Sequence, residues 1–411
     1  MSFQQGLSGL NAASKSLEVI GNNVSNANTV GFKAAQAQFA DVYATSLNGG
    51  GASDIGIGTK ISDVVQEFNQ GNITASDNPL DIAINGNGFF RMDSNGTVTY
   101  ARNGQFQLDK NGYVVNAQGA NLTGYVANAA GVLSTGSPQK LQISTADLPP
   151  AVTKSVNQAL NLDSTQAIPA TTPFSATDPT SYNNATSVSV YDSLGNSHVL
   201  QTFYVNAGSG NWDVYAVADD VPLVTTPAGG KIGTLSFDTT GALTAASKAT
   251  LPFSAPIPAS GGAAAFSPQI DFTGTTQYGS AFTVNSLSQN GYAAGHLTGF
   301  TTGDDGTITG RYSNGKSATL GQVVLANFTN VNGLQPLGNN VWAETSSSGQ
   351  PLVATPGSGT FGKLQASAVE DSNVDLTAEL VNMITAQRVY QANAQTVKTQ
   401  DQVMQTLVNL R

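Results

Sequence analysis

Both ends of the 411-residue chain carry apolar residues at alternating spacings of four and three. This period of about 3.5 residues is typical of a helix that packs along a supercoiled seam. A lone helix cannot bury such a stripe, so we expect the terminal helices to pack on each other or on further copies of the chain. The stripes are Phe3, Leu7, Leu10, Ser14, Leu17, Gly21 and Val24, and then Leu376, Leu380, Met383, Gln387, Tyr390, Ala394, Val397, Asp401, Met404 and Val408.

The first helix is predicted over residues 2 to about 25, with a stop near Asn22 and Asn23, and the last helix from Ser372 and Asn373 onward. Residues 34–43 are predicted as a short helix or ordered coil. The apolar side chains of the terminal helices form a predicted assembly interface. It consists of Leu7, Leu10, Leu17, Ile20, Val24, Leu376, Leu380, Met383, Tyr390, Ala394, Val397, Met404 and Val408.

The composition argues against several classes of partner and cofactor. Only 10% of residues are charged, against roughly 25% in ordinary soluble domains, and the net charge is −10. No run of Lys or Arg is present to neutralise phosphates or to reach anionic lipid, so we expect no nucleic-acid partner. The absence of cysteine rules out a disulfide framework and a thiolate zinc site.

The N-terminal segment does not resemble a cleavable signal peptide. It has neither a basic n-region nor a continuous apolar h-region. No window of about 18 apolar residues is present, so we expect no membrane insertion. If the protein is extracellular, it leaves the cell by a route that does not read such a peptide.

The residues between the two helices are predicted to form short β-strands. From Ile73 onward, runs of alternating polarity are separated by Asn-Gly pairs such as Asn85-Gly86 and Asn95-Gly96, which are strong hairpin signals. The composition changes near Leu148-Pro-Pro, and a second set of strands begins near Ser187. After about residue 288 the hairpin-rich style of the first module returns, which indicates that the second module is inserted.

We therefore expect a mainly β fold with a terminal α coiled coil, in which the N- and C-terminal helices pair and two β domains are nested. The predicted domains are a terminal helical domain of 1–30 with 372–411, a connecting segment of 31–70 with 357–371, a first β domain of 71–149 with 289–356, and an inserted outer β domain of 150–288.

Residues that could carry chemistry are explained better by local structure. The Asp-x-x-Gly units that begin at Asp93, Asp109, Asp192 and Asp238 lack the Gly and Glu positions of a calcium loop and match turn chemistry. The pairs Asp219-Asp220 and Asp304-Asp305 are predicted as solvated loop acids, and His198 and His296 have no ligand-spaced companions. We expect no catalytic residues, no metal and no cofactor.

The last helix is rich in amides, with Gln387, Gln391, Asn393, Gln395, Gln400, Gln402 and Gln405 among few charges. One interpretation is an amphipathic helix in an ordinary bundle. The other is a helix packed on several sides in a polymer, with an uncharged amide face along a channel.

Three blocks of this sequence resemble bacterial flagellar rod and hook proteins. Ser8-Gly-Leu-Asn-Ala-Ala13 and Ile20 to Lys33 resemble the N-terminal signature of that family, Asp81 to Phe90 with Tyr100 to Phe106 resemble its next block, and Ser372 to Asn393 with Asp401 resemble its C-terminal block. The family motif residues are Asn22, Asn23, Asn26, Asn28, Thr29, Gly31, Phe32 and Lys33. The inserted domain and the ending Leu407-Val-Asn-Leu-Arg411 point to the hook-type members.

The resemblance implies a structural subunit of the flagellar hook, at the cell exterior, that polymerises with itself into a tube and acts as a universal joint between rod and filament. It also implies export without a signal peptide through the flagellar type III apparatus. The implied partners are the distal rod protein, the hook cap protein and the hook–filament junction protein.

Two other interpretations remain open. A distal-rod subunit is the alternative within the family, although it does not need the inserted domain. A secreted β-sandwich adhesin is the alternative from another class, with Trp212 and the tyrosines of 182–215 stacking on sugar. An enzyme is a third class, to be tested by replacing Asp304 or His198.

Overall fold

The computed structural model describes residues 2–42, 56, 58–128, 131–223 and 229–409. The helices are α1 (Ser2–Ser25), α2 (Ala245–Thr250) and α3 (Leu376–Asn409). The strands are β1 (Ala35–Val42), β2 (Gly58–Gln66), β3 (Ile73–Ala75), β4 (Ile82–Asn85), β5 (Phe89–Ser94), β6 (Thr97–Ala101), β7 (Gln107–Leu108), β8 (Val114–Val115), β9 (Asn121–Val126), β10 (Gln139–Lys140), β11 (Ser155–Asp163), β12 (Asn184–Tyr191), β13 (Ser197–Gly208), β14 (Asn211–Ala218), β15 (Val221–Pro222), β16 (Lys231–Ser236), β17 (Phe253–Ser254), β18 (Gln269–Asp271), β19 (Thr276–Tyr278), β20 (Thr283–Gln289), β21 (Leu297–Thr302), β22 (Thr307–Tyr312), β23 (Ser317–Val323), β24 (Leu325–Asn327), β25 (Gln335–Gly338), β26 (Val341–Ala343), β27 (Leu352–Ala354), β28 (Lys363–Ala366) and β29 (Ala368–Glu370).

The fold class expected from the sequence is confirmed, because the chain is mainly β and its two terminal helices pack on each other. The chain divides into two compact units. Unit 1 comprises Met1–Thr145, Gly299–Arg311 and Ser317–Arg411, and unit 2 comprises Ala146–Thr298 and Tyr312–Lys316. The four domain boundaries drawn from the sequence stay a prediction.

Unit 1 contains the terminal helices and a large sheet with the strand order β21-β22-β23-β9-β5-β6-β26-β25. Two small antiparallel pairs, β3 with β29 and β4 with β28, bring the end of the β region beside its beginning. An aromatic cluster lies in the core of this unit, with the Phe89 and Trp342 ring centroids 5.8 Å apart in an edge-to-face arrangement. Burial of these rings supplies the stability that short strands lack.

Hairpin signals in the sequence mark actual turns. Asn95 and Gly96 both have positive φ, at 52° and 89°, and join β5 to β6 as a two-residue turn. The Asp-x-x-Gly prediction is also confirmed as turn chemistry, since the Gly112 amide donates to the Asp109 carbonyl and Gly112 has φ +81°. Asn339 and Asn340 form a further such turn between β25 and β26, which the sequence analysis missed.

Unit 2 consists of two five-stranded sheets, one built around β11 and one with the order β12-β13-β14-β15 plus β16. A common hydrophobic core joins them and includes Leu160 of the first sheet and Leu200 and Trp212 of the second. β11 pairs in parallel with both β18 and β19. Trp212 is fully buried, so it cannot stack on a sugar as the adhesin interpretation required.

The structure corrects three local predictions. α1 continues to Ser25 instead of stopping near Asn22 and Asn23. α3 begins at Leu376, because the Asp375 carboxylate accepts hydrogen bonds from the Thr377 and Ala378 amides and caps the first turn. Residues 35–42 form strand β1, since pairing with β2 and packing on α1 override the helix propensity of the Ala- and Gln-rich segment.

Candidate functional site

The two terminal helices of unit 1 form an antiparallel pair. A Cβ added at Gly6 would lie 3.0 Å from Val397, and one added at Gly9 would lie 2.7 Å from the Asn393 amide. At the other end of α1, Asn23 Nδ2 donates to Glu379 Oε1 at 2.8 Å. The helices therefore approach closely at glycines, and their register runs in opposite directions.

The face of α1 that is buried within the chain is one position removed from the predicted apolar stripe. Gly6, Ala13, Ile20 and Asn23 are buried. From the predicted stripe, Leu10, Leu17 and Val24 are half-buried, and Phe3 and Leu7 are exposed. Small residues occupy the inner face because α3 and the β1–β2 ribbon both approach it closely.

α3 shows the same separation of faces. The seam toward α1 runs through Glu379, Met383, Ala386, Asn393, Val397 and Gln400, with Ala394 half-buried beside it. From the predicted interface, the side chains left exposed on this helix are Leu376, Leu380, Tyr390, Met404 and Val408. The exposed apolar residues that the sequence analysis missed are Val381, Ile384, Val389 and Val403. A 3.6-residue helical projection would have shown them as neighbours of the predicted stripe.

One predicted interface residue is not available to another copy. Ile20 is buried within the chain, on the face of α1 that packs against the rest of unit 1. Met383, Ala394 and Val397 are half-buried and lie at the border between the inner seam and the exposed face. The apolar surface that remains on the helices is therefore narrower on α1 and wider on α3 than the sequence analysis predicted.

A groove of about 840 Å³ follows the inner side of the helix pair. Its lining comes from α1, from the β1–β2 ribbon and from the first half of α3, and most of it consists of alanine and amide side chains. Glu67, Asp375 and Glu379 also line it, whereas no Lys or Arg does. The groove can therefore accept an apolar segment of a protein, and its fixed charges are negative.

The family motif folds into a corner between α1 and β1. The Asn23 side chain accepts from the Ala35 amide at 2.9 Å and donates to the Ala35 carbonyl at 2.8 Å, so one buried amide fixes the direction in which the chain leaves the helix. Asn373, predicted as a helix start, instead accepts from the Ala34 amide at 2.7 Å and donates to the Glu67 carbonyl.

The other motif residues complete the same corner. Asn26 donates to the Asn22 carbonyl, and Thr29 donates to Asn26 Oδ1. The Phe32 amide donates to the Thr29 carbonyl, and Asn28 is exposed. Gly31 has φ +71°, and a Cβ there would lie 2.6 Å from the Asn103 amide nitrogen. Glycine is required at this position for its conformation and for its close approach to the neighbouring backbone.

Lys33, at the end of the motif, belongs to a buried ion cluster with Glu370 and Arg102. Lys33 Nζ lies 2.7 Å from Glu370 Oε1, and Arg102 Nη1 lies 3.3 Å from Glu370 Oε2. The Gly71 amide also donates to Glu370 Oε1, and Arg102 Nη2 donates to the Gly86 carbonyl. The single carboxylate therefore connects three separate parts of unit 1.

The electrostatic balance of this cluster is uneven. Two cations share one carboxylate, and Arg102 Nε has no hydrogen-bond partner among the described atoms. Burial lowers the pKa of Lys33; Glu370 opposes this shift, and Arg102 adds to it. Burial also lowers the pKa of Arg102, and Glu370 again opposes the shift. Glu370 is therefore essential to the cluster, because without it both cations would be buried without a counter-charge.

The two histidines have partners that sequence spacing did not reveal. In unit 2, His198 Nδ1 lies 2.6 Å from Asp219 Oδ2 and His198 Nε2 lies 3.3 Å from Asp192 Oδ2. His296 Nδ1 lies 2.5 Å from Asp147 Oδ1. Within the described part of the chain, no group of three or more His, Asp or Glu residues is placed to hold a metal ion. Among the described helices, none is long and apolar enough to span a bilayer.

Family models match four parts of the chain. The "Flagella basal body rod protein" model matches residues 3–33, and "Flagellar hook protein FlgE/F/G D1 domain" matches 83–164. "Flagellar basal body protein FlaE D2 domain" matches 161–292, and "Flagellar basal body rod FlgEFG protein C-terminal" matches 365–410. The first and last of these models cover the paired helices.

Curated relatives match the chain over its full length. It is 44% identical to the flagellar hook protein FlgE of Salmonella typhimurium and 43% identical to that of Escherichia coli, with all of each chain covered. A crystal structure of the Helicobacter pylori flagellar hook protein FlgE2 is similar in fold, with a TM-score of 0.52 and 15% identity over 72% of this chain and all of that one. The chain thus belongs to the flagellar hook protein FlgE family and is a structural component of the flagellar hook rather than an enzyme.

Proposed function

We propose that this chain polymerises through the exposed apolar faces of its terminal helices into a helical tube, and that the tube acts as a universal joint between the rod and the filament. The observation that carries the proposal is the residual apolar surface of the helix pair. α1 and α3 cover one face of each other, yet Leu7, Leu380 and Met404 remain exposed. Contiguous exposed apolar surface of this kind is typical of a protein–protein interface.

The exposed side chains fit contacts between copies better than contacts within one copy. The predicted heptad stripe of α3 lies on the face next to the seam that α1 occupies, so a second helix can pack there without displacing α1. Leu376, Leu380 and Tyr390 supply knobs on this face. The amide-rich side of α3 would then be free to line a channel without fixed charge.

The proposed radial order follows from this arrangement. The terminal helical domain of 1–30 with 372–411 would form the inner tube, and the segment of 31–70 with 357–371 would connect it to the first β domain. The inserted domain of 150–288 would lie outermost. Its surface is poor in charge, and a Ser-, Thr- and Asn-rich surface can slide because few strong ion pairs must break when neighbouring copies shift.

The proposed partners and export route come from the family. A hook polymer would contact the distal rod protein at its base, the hook cap protein during growth and the hook–filament junction protein at its tip. We also propose export through the flagellar type III apparatus without a cleavable signal peptide. The lack of cysteine supports export of an unfolded chain, because no disulfide can form before the chain has left.

Electron microscopy of the purified protein by negative staining tests the central proposal. We expect tubes from the full chain and none from a variant that lacks residues 372–411. In that variant the sheets of unit 2 should still give a native β circular-dichroism signal, because they form a core of their own. Tubes formed by the truncated variant would contradict the proposal that the helices build the polymer.

A further inference from the structure

The seam between the helices continues on α3 beyond the end of α1. Gly6 lies beside Val397 and α1 begins at Ser2, so its first residue is level with about residue 401 of the antiparallel partner. α3 continues to Asn409. Met404 lies one heptad after Val397, so it extends the stripe that α1 covers lower down. It is nevertheless 61% exposed, and Val408, one turn later, is 72% exposed.

The groove of unit 1 is made of the same kind of surface that covers the seam elsewhere. Gly9, Ala12 and Ala13 of α1 form its floor, and Ala37 of β1 and Ala378 of α3 contribute to its sides. Small side chains allow a helix to approach such a floor closely, as Gly6 and Gly9 do for α3 itself. The groove is thus suited to a short helical segment with apolar side chains on one face.

The dimensions of the projecting end of α3 match the groove. Residues 401–409 form about two and a half turns, about 13 Å long and about 10 Å across, which is a cylinder on the order of 1,000 Å³. The groove holds about 840 Å³, so the segment would fill it with one side left at the surface. Lys398 immediately precedes this segment, and the groove carries Glu67, Asp375 and Glu379, so the charges are complementary.

The projecting end cannot enter the groove of its own chain. The wall of that groove includes residues 375–393 of α3, and residues 401–409 belong to the same continuous helix. A straight helix cannot turn back on itself, so the end of α3 remains about 15 Å along the axis from the groove. Another copy of the chain can offer the same groove without this restriction.

We propose that residues 401–409 of one copy lie in the α1–β1–α3 groove of the next copy. This contact joins two different surfaces, so it is heterologous and repeats without closing on itself, as growth of a polymer requires. It would bury Met404 and Val408, which the helix pair leaves uncovered. The inference rests on the proposed polymer and specifies which of its surfaces meet.

Paired cysteines test this contact directly, because the chain has no cysteine of its own. We would place Met404→Cys and Ala378→Cys in the same full-length chain, let the protein assemble, and oxidise it. A contact between copies should give a ladder of covalent multimers on a denaturing gel, since each chain can link to two neighbours. The matched control pair is Met404→Cys with Val381→Cys, because Val381 is exposed on α3 outside the groove.

A ladder from the Ala378 pair and none from the Val381 pair would support the proposal. Tubes that form without a ladder from the Ala378 pair, or that give equal ladders from both pairs, would overturn this contact and leave the polymer itself standing. A second pair, Met404→Cys with Val389→Cys on the same groove wall, guards against poor disulfide geometry at one site. Failure of the unmodified chain to form tubes would overturn both the contact and the proposed polymer.

Discussion

Lys33 Nζ lies 2.7 Å from Glu370 Oε1, although the two residues are 337 positions apart, and both side chains are fully buried. Lys33 closes the family motif that follows α1, and Glu370 ends strand β29 shortly before α3. The ion pair therefore fastens the two ends of the β region together where the terminal helices leave it. Arg102 adds a second cation to the same carboxylate.

Glu370→Gln should strongly destabilise unit 1. The substitution removes the negative charge and leaves Lys33 and Arg102 buried without a counter-ion, and removal of one partner from a buried pair typically costs about 3–5 kcal/mol. Denaturant unfolding, followed by hydrogen exchange in peptides from unit 1, measures the effect. Glu18→Gln breaks the exposed Lys15–Glu18 pair and serves as the control with little expected change. Equal stability of the two variants would mean that the cluster does not hold the junction.

Gly31→Ala should destabilise the same corner by steric means. The φ of +71° costs a residue with a Cβ about 1–2 kcal/mol, and the new Cβ would also lie 2.6 Å from the Asn103 backbone nitrogen. Gly96→Ala is the matched control, because Gly96 has φ +89° and nothing within 4 Å of its Cβ position. The difference between the two unfolding free energies isolates the steric contribution. A Gly31 variant no less stable than the Gly96 variant would contradict the tight corner.

Leu380→Asp should block assembly without unfolding the monomer. Leu380 is exposed on α3, so a carboxylate there is solvated in the single chain but would be desolvated and unpaired in a helix seam between copies. We expect a thermal unfolding curve like that of the unmodified chain and no tubes in electron micrographs. Leu380→Met preserves the apolar character and should assemble. Normal tubes from the Asp variant would place the seam on another face.

Unit 2 should lose stability as the pH rises through the pKa of His198. The hydrogen bond to Asp219 raises the pKa of His198; burial opposes this shift, and Asp192 adds to it. Because the folded state binds the proton more tightly, the stabilisation is fully present below the ordinary histidine pKa of about 6.5. It disappears as the pH rises through the higher pKa of the folded state.

The opposite dependence is expected at acid pH. Burial disfavours the Asp192 carboxylate, but hydrogen bonds from Asn196, Leu194 and His198 outweigh burial and lower the pKa of Asp192 to about 2. This stabilisation is present above the ordinary aspartate pKa of about 3.9 and disappears as the pH falls toward 2. Hydrogen exchange of β13 and β14 between pH 3 and pH 9 should show both limits. His198→Gln should remove the dependence at high pH, and an unchanged profile would contradict it.

The sequence was most informative where structure is local. The heptad spacing predicted both terminal helices, and Asn95-Gly96 predicted a two-residue hairpin, because helix periodicity and positive φ depend on residues close together in the chain. The Asp-x-x-Gly units were correctly predicted as turns for the same reason. The resemblance to flagellar rod and hook proteins was also readable from short motifs, and the full-length relatives confirm it.

Long-range contacts required the tertiary structure. Nothing in the spacing of α1 indicates that Ala13 and Asn23 face inward while Leu7 stays exposed, since that choice depends on where α3 and the β1–β2 ribbon approach. The parallel pairing of β11 with β18, the fully buried position of Trp212 and the meeting of Lys33 with Glu370 also join residues far apart in sequence.

The sequence by itself determined the helices, the turns and the family, because local backbone preferences and short motifs specify them. Only the tertiary structure decided which helix faces are buried and which charges meet. Glu370 shows the physical reason. A carboxylate becomes indispensable when folding removes water from it and from the two cations beside it, and no pattern along the chain records that environment.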